Sequence, residues 1–201
     1  MSAIEAIVFD IGRVLIHWTP EESYDRWIGE DRRQALFGAV PLHAANLEID
    51  RGAPFRPTVA ALAEAHPDWA DEIMFWHDRW REMVVPAVPG SVALLERLLD
   101  GPRPVHALTN FGRETFVLAE VLHPVLTRFD TAFVSGRLGL IKPDPAIYAV
   151  VERETGLSAG QLFFTDDSAA NVDAARARGW DAHLFEGPDG LEAALTERGL
   201  L

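Results

Sequence analysis

Cysteine is absent from the 201-residue chain, which excludes a disulfide framework, a thiolate zinc site and a cysteine nucleophile. That composition fits a reducing compartment. Long apolar runs are missing as well: nowhere do about 18 apolar residues follow one another, the length a membrane-spanning helix needs. The opening stretch, MSAIEAIVFD, lacks the basic segment and extended apolar run of a secretory signal, so the expectation is a soluble, cytoplasmic protein. Positive charge is scarce. Eighteen Lys and Arg face 31 Asp and Glu, a formal net charge of −13, and the resulting long-range repulsion argues against nucleic acid or an anionic membrane as partner. Lysine is scarcer still: Lys142 is the only one, against seventeen arginines.

With 48% hydrophobic and 24% charged residues, the chain has enough apolar material to bury a core without metal or disulfide staples. Its length allows one full domain with room for an insertion. Short apolar runs at Ala3–Phe9, Pro104–Leu108, Thr131–Val134, Gln161–Thr165 and Asp181–Phe185 read as buried strands. Helical spacing fills the intervals at Gly90–Leu99, Arg113–Val121, Pro145–Glu154, Ala169–Arg178 and Leu191–Arg198. Strand–helix alternation of this kind predicts parallel βαβ units and a three-layer, Rossmann-like α/β core. Residues 17–85 break the rhythm, with helix-type spacing, no convincing strand and five tryptophans: Trp18, Trp27, Trp69, Trp76 and Trp80. They read as a helical insertion whose aromatics form a packed core. The division expected is a core of residues 1–16 and 86–201 with an inserted helical domain over 17–85.

Ligands of a doubly wound sheet bind beyond the carboxyl ends of its strands. Those positions are polar here: Asp10 after the first run, Thr109 and Asn110 after the second, Asp166 and Asp167 after the fourth. Taken singly each has a plain structural reading, as a turn residue or a helix cap. Lys142, in Leu140-Ile141-Lys142-Pro143-Asp144-Pro145, stands out because Arg serves everywhere else, which marks a place wanting a compact point charge. Together these residues have a chemical logic. An Asp carboxylate can attack phosphorus if a divalent cation, a positive side chain and hydroxyl or amide donors accompany it. Magnesium takes one or two carboxylates plus other oxygens.

Four segments in order resemble the haloacid dehalogenase (HAD) superfamily, subfamily I, with a helical cap after the first motif. They are Phe9-Asp10-Ile11-Gly12-Arg13-Val14-Leu15, Leu108-Thr109-Asn110, Ile141-Lys142-Pro143-Asp144-Pro145-Ile147-Tyr148, and Phe164-Thr165-Asp166-Asp167-Ser168 followed by Asn171-Val172-Ala174-Ala175-Gly179. The chain looks closest to the branch of sugar-phosphate phosphatases and epoxide-hydrolase N-terminal domains. The resemblance implies Asp10 as nucleophile and Mg²⁺ ligand, the Gly12 carbonyl as a second ligand, and Asp167 completing the metal site with Asp166 beside it. It further implies that Thr109 and the Asn110 backbone hold the phosphoryl group, and that Lys142 offsets charge. Arg13 is a candidate substrate contact. His17, His43 and Glu48 are candidate contacts from the cap, each with a surface or packing role as the alternative.

One position departs from the superfamily's phosphatase pattern. Where Asp-x-Asp is usual, the second Asp protonating the leaving group, this chain has Gly12, and glycine transfers no proton. Acid–base help is worth ~10²–10⁴-fold, so its loss falls hardest on alkyl esters. The reading is a Mg²⁺-dependent phosphomonoesterase that forms an aspartyl-phosphate on a small phosphorylated metabolite. Its alternatives are a metal-independent 2-haloacid dehalogenase and a catalytically weak phosphate- or partner-binding protein of the same fold.

Overall fold

Five strands alternate with helices in the computed structural model, which describes residues 3–201. After β1 (Ala6–Phe9) come α1 (Pro20–Ile28), α2 (Glu30–Ala39), α3 (Leu42–Asp50), α4 (Phe55–Ala65), α5 (Ala70–Asp78), α6 (Trp80–Met83) and α7 (Pro89–Leu99). The chain continues through β2 (Val105–Thr109), α8 (Arg113–Leu122), β3 (Thr131–Val134), α9 (Ser135–Leu138), α10 (Pro145–Thr155), β4 (Leu162–Asp166), α11 (Ala169–Ala177), β5 (Asp181–Leu184) and α12 (Pro188–Glu197).

All strand pairs are parallel, in the order β3-β2-β1-β4-β5. The three inner strands are buried at every residue, as their unbroken apolar runs require, while β3 and β5 at the edges carry partly exposed positions. Side chains alternate between faces. Ile7 and Phe9 join Leu94, Leu95, Phe116 and Leu195 on one side, so α7, α8 and α12 cover that face. Ala6 and Val8 join Ile147, Val151, Val172 and Ala175 on the other, under α10 and α11. This is the expected three-layer α/β core.

Element ends differ from the sequence reading by a few residues. Ladder pairing of β1 begins at Ala6 rather than Ala3, where Leu162 first lies alongside. Helix α12 begins at Pro188 rather than Leu191, because proline's fixed φ suits a first helical turn and it needs no N–H there.

Residues 20–83 are helical, with one 3-10 turn at Pro67–Trp69 and no strand. Tyr24 lies at their centre, its ring 4.9 Å from Trp27, 5.1 Å from Phe37 and 6.1 Å from Trp76, and its hydroxyl donates to the Glu72 carbonyl at 2.9 Å. Such ring pairs add about 0.5–1.5 kcal/mol each beyond their burial. The aromatics do form a packed core, and it is continuous with the Ile7/Phe9 face of the sheet.

Candidate active site

The strand order reverses at β1: the chain builds outward through β2 and β3 on one side, then through β4 and β5 on the other. A crevice opens at the carboxyl ends of strands around such a switch point. Asp10 leaves β1 there, its amide donating to the Thr165 carbonyl at 2.9 Å. The next residues wind tightly, with the amides of Leu15 and Ile16 both donating to the Ile11 carbonyl and that of Arg13 to the Ile16 carbonyl. Arg13 takes φ +60°, an uncommon value for a residue with a side chain.

Lys142 is the hub. It is buried, and its Nζ lies 2.8 Å from Asp10 Oδ1 and 2.6 Å from Asp166 Oδ2, while also donating to the Leu108 carbonyl at 2.8 Å. Its backbone is clamped by Asn110, whose Oδ1 accepts from the Lys142 amide at 2.8 Å and whose Nδ2 donates to its carbonyl at 3.0 Å. The Asn110 side chain therefore positions lysine. Asp166 is fully buried, and besides Lys142 it accepts from Asn171 Nδ2 and the Ser168 amide.

Oxygens of Asp10, Asp166 and Asp167 lie within 4.8 Å of one another. Burial pushes the Asp10 carboxyl up to about 7, Lys142 pulling it down and Asp166 raising it further. Burial and then Asp166 raise Asp167, against Arg13 and Lys142. Burial opposes the charge on Lys142, yet its two carboxylates outweigh this and raise it. One buried ammonium thus faces three carboxylates, and Arg13 is mostly solvated at 3.9 Å from Asp167. An all-oxygen donor set with surplus negative charge fits a hard dication such as Mg²⁺. Asp10 and Asp167 would hold it from the cleft. Asp166, its oxygens committed to Lys142, Asn171 and Ser168, sits behind them.

A cleft of about 270 Å³ is lined by Asp10, Gly12, Arg13, Thr109, Asn110, Lys142 and Asp167, joined by Trp18 and Asp50. A smaller pocket of about 80 Å³, bounded by Trp18, Asn46, Trp80, Phe111 and Thr115, adjoins it, and Gly12, Trp18, Asp50 and Asn110 border both. Of the suggested cap contacts, His43 pairs with Glu21 at 3.1 Å and Glu48 with Arg51 at 2.6 Å, and His17 lines a surface cleft that shares Arg13 and Trp18 with the site cleft. Asp50, Asn46, Trp18 and Trp80 are the lining residues that sequence reasoning missed. Nothing in Leu47-Glu48-Ile49-Asp50 marks the last acid as different from its neighbours.

The fold recurs in solved structures. A HAD-family enzyme from Bacteroides thetaiotaomicron, in complex with magnesium and inorganic phosphate, superposes with a TM-score of 0.70 at 21% identity, covering 92% of this chain and 96% of that one. The chain has the HAD-like fold. The L-2-haloacid dehalogenase of Xanthobacter autotrophicus, with chloropropionic acid covalently bound, shares it at TM-score 0.62 and 19% identity, over 98% and 84% of the two chains. No family model matches the sequence.

Among curated relatives, the HAD-fold chain is 25% identical to the drimenol cyclase DrtB of Aspergillus calidoustus over 98% of its own length but 38% of that protein's. It is 33% identical to the sesquiterpene phosphatase AstK of Aspergillus oryzae over 43% of its length and 44% of the relative's. The chain thus spans less than half the length of either. Among its described residues no helix is long and apolar enough to cross a membrane.

Proposed function

We propose that this HAD-fold protein is a Mg²⁺-dependent phosphomonoesterase acting through an aspartyl-phosphate on a small phosphate ester. The observation that carries the reading is the convergence of Asp10, Thr109, Lys142 and Asp167, delivered by four separate segments, on one cleft. The magnesium- and phosphate-bound neighbour and the phosphatase relative support it.

In this reading one Asp10 oxygen, not the one paired with Lys142, attacks phosphorus and the leaving oxygen departs opposite. Lys142 keeps its charge because Asp166 and the Leu108 carbonyl fix it, so it offsets the negative charge brought by substrate. Thr109, at the end of β2, supplies a hydroxyl to a phosphoryl oxygen, and Arg13 at the mouth offers a solvated positive charge. Asp10, Asp167 and the Gly12 carbonyl would hold Mg²⁺, which would supply positive charge against the carboxylates and the phosphoryl group. The residues from 17 to 85 act as the cap domain that shapes the leaving-group side. The core is made of residues 1–16 and 86–201.

The test is release of phosphate from p-nitrophenyl phosphate, and of chloride from 2-chloropropionate, with and without EDTA. Phosphate release should need metal and vanish in Asp10→Asn, by at least about 10³-fold. Metal-independent chloride release without phosphatase activity would make the protein a dehalogenase instead. Binding of magnesium and phosphate without turnover on any ester would make it a binding protein.

A further inference from the structure

A methyl group placed on Gly12 would meet nothing within 4 Å. The side chain missing from the first motif therefore leaves open cleft beside Asp10 rather than filled space. Asp50, the last residue of α3, borders that opening, and it also borders the pocket lined by Trp18, Trp80 and Phe111. An ester whose phosphoryl group lies at Asp10 and Lys142 and whose organic group enters the aromatic pocket has its bridging oxygen at the junction of the two. Asp50 is the acid at that junction.

The side chain is held there. Its Oδ2 accepts from Asn46 Nδ2 at 2.9 Å, and Asn46 is oriented in turn because its Oδ1 accepts from Trp76 Nε1 at 3.2 Å. The Gly112 backbone amide also favours the charged form of the Asp50 carboxyl. The backbone is fixed by Ser135, whose Oγ donates to the Asp50 carbonyl at 2.6 Å. Desolvation raises the carboxyl well above its ordinary value, the Gly112 backbone amide opposing. A carboxyl in that state can carry a proton to the leaving group, where an ordinary surface acid could not.

We propose that Asp50 is the general acid–base of this enzyme, supplied by the helical insertion in place of the first-motif acid, for esters with a compact apolar leaving group. The inference rests on the phosphomonoesterase reading above. An Asp10 oxygen bonds to phosphorus, the P–O bond to the leaving group breaks with its electron pair on oxygen, and the Asp50 proton moves to that oxygen, releasing an alcohol. Asp50, now a carboxylate, takes a proton from the water that attacks phosphorus, freeing Asp10 and inorganic phosphate. The leaving group is compact because a pocket of about 80 Å³ accepts a handful of methylene-sized groups.

Asp50→Asn separates this role from a structural one. For short alkyl phosphates kcat/KM should fall ~10²–10⁴-fold, whereas for p-nitrophenyl phosphate, whose leaving group needs no proton, it should change little. With p-nitrophenyl phosphate the variant should show a burst of about one p-nitrophenolate per enzyme and then slow turnover, because hydrolysis of the aspartyl-phosphate has lost its base. Adding Gly12→Asp to Asp50→Asn should restore part of the alkyl-phosphate activity. Equal loss on all substrates without a burst, in a variant with wild-type thermal stability, would overturn the assignment; so would no loss on alkyl phosphates. Wild-type protein inert toward every ester would fail the phosphatase reading itself.

Discussion

Lys142 illustrates what a single buried charge demands. Taking an ammonium out of water costs several kcal/mol, and the cost is met only when carboxylates and a carbonyl surround it. Asp10, Asp166 and the Leu108 carbonyl do so here. Three nitrogens on a planar fork would not fit between two carboxylates arranged for one atom, which is the physical reason the chain uses its only lysine at this place. Asp50 has the opposite problem, a carboxyl desolvated without a buried cation beside it. Lys142, Asp10, Asp167 and Arg13 share its cleft, and Arg113 packs against Gly52 just beyond it with its guanidinium donating to Gly136. Its folded-state carboxyl is raised, so the folded protein binds its proton more tightly than the unfolded chain. Stability then falls as pH rises from the ordinary carboxylate value, 3.8, through the raised folded value. Asp50→Asn removes that fall. Melting curves should therefore find the variant gaining on wild type as pH rises above about 4; a gap that does not change with pH would show Asp50 to be solvated.

At the scale of elements, the end of α3 is docked on the core through glycines. A methyl group on Gly112 would lie 2.5 Å from Ile49 Cγ2, and one on Gly52, just after α3, would lie 2.8 Å from the Gly136 carbonyl. Close approach of α3 to the loop after β2 is what brings Asp50 to the cleft that Asp10 also lines. Gly112 itself has φ −66°, which alanine adopts freely, so Gly112→Ala acts through its collisions, above all with Ile49 and also with Thr115 Oγ1. It should cost about 1–3 kcal/mol of stability in a denaturant titration, and reduce turnover of alkyl phosphates more than that of p-nitrophenyl phosphate by shifting Asp50. Unchanged stability would mean that α3 yields easily and is not the fixed support described here.

The whole molecule carries a formal charge of −13, and three of its carboxylates are brought within 4.8 Å of one another. Repulsion among them favours any state that spreads or neutralises them, so a dication should stabilise the fold. Saturating Mg²⁺, at about 100 times its dissociation constant, contributes about 2.7 kcal/mol, which in a chain of this size raises Tm by several degrees. A calorimetric scan with and without Mg²⁺ measures the shift, and Asp167→Asn should remove most of it. No shift in wild-type protein would mean that the acids are balanced without a metal.

The amino-acid sequence alone determined the parallel α/β core, because unbroken apolar runs can only be strands buried on both faces and helical spacing between them forces crossovers. It also marked residues 17–85 as a helical insertion, of which 20–83 are helical, and named Asp10, Thr109, Asn110 and Asp167 as strand-end positions, a local feature, and Lys142 as the only lysine. Tertiary structure decided which neighbours those residues have. Asn110 proved to be a clamp on Lys142 and Asp166 a buried partner behind the cleft, while His43 and Glu48 pair with Glu21 and Arg51. Asp50 entered the site from a helix about forty residues away in the chain, and no periodicity or spacing reports such a contact. Its place depends on how closely two backbones approach, a property of packed surfaces rather than of any segment read by itself.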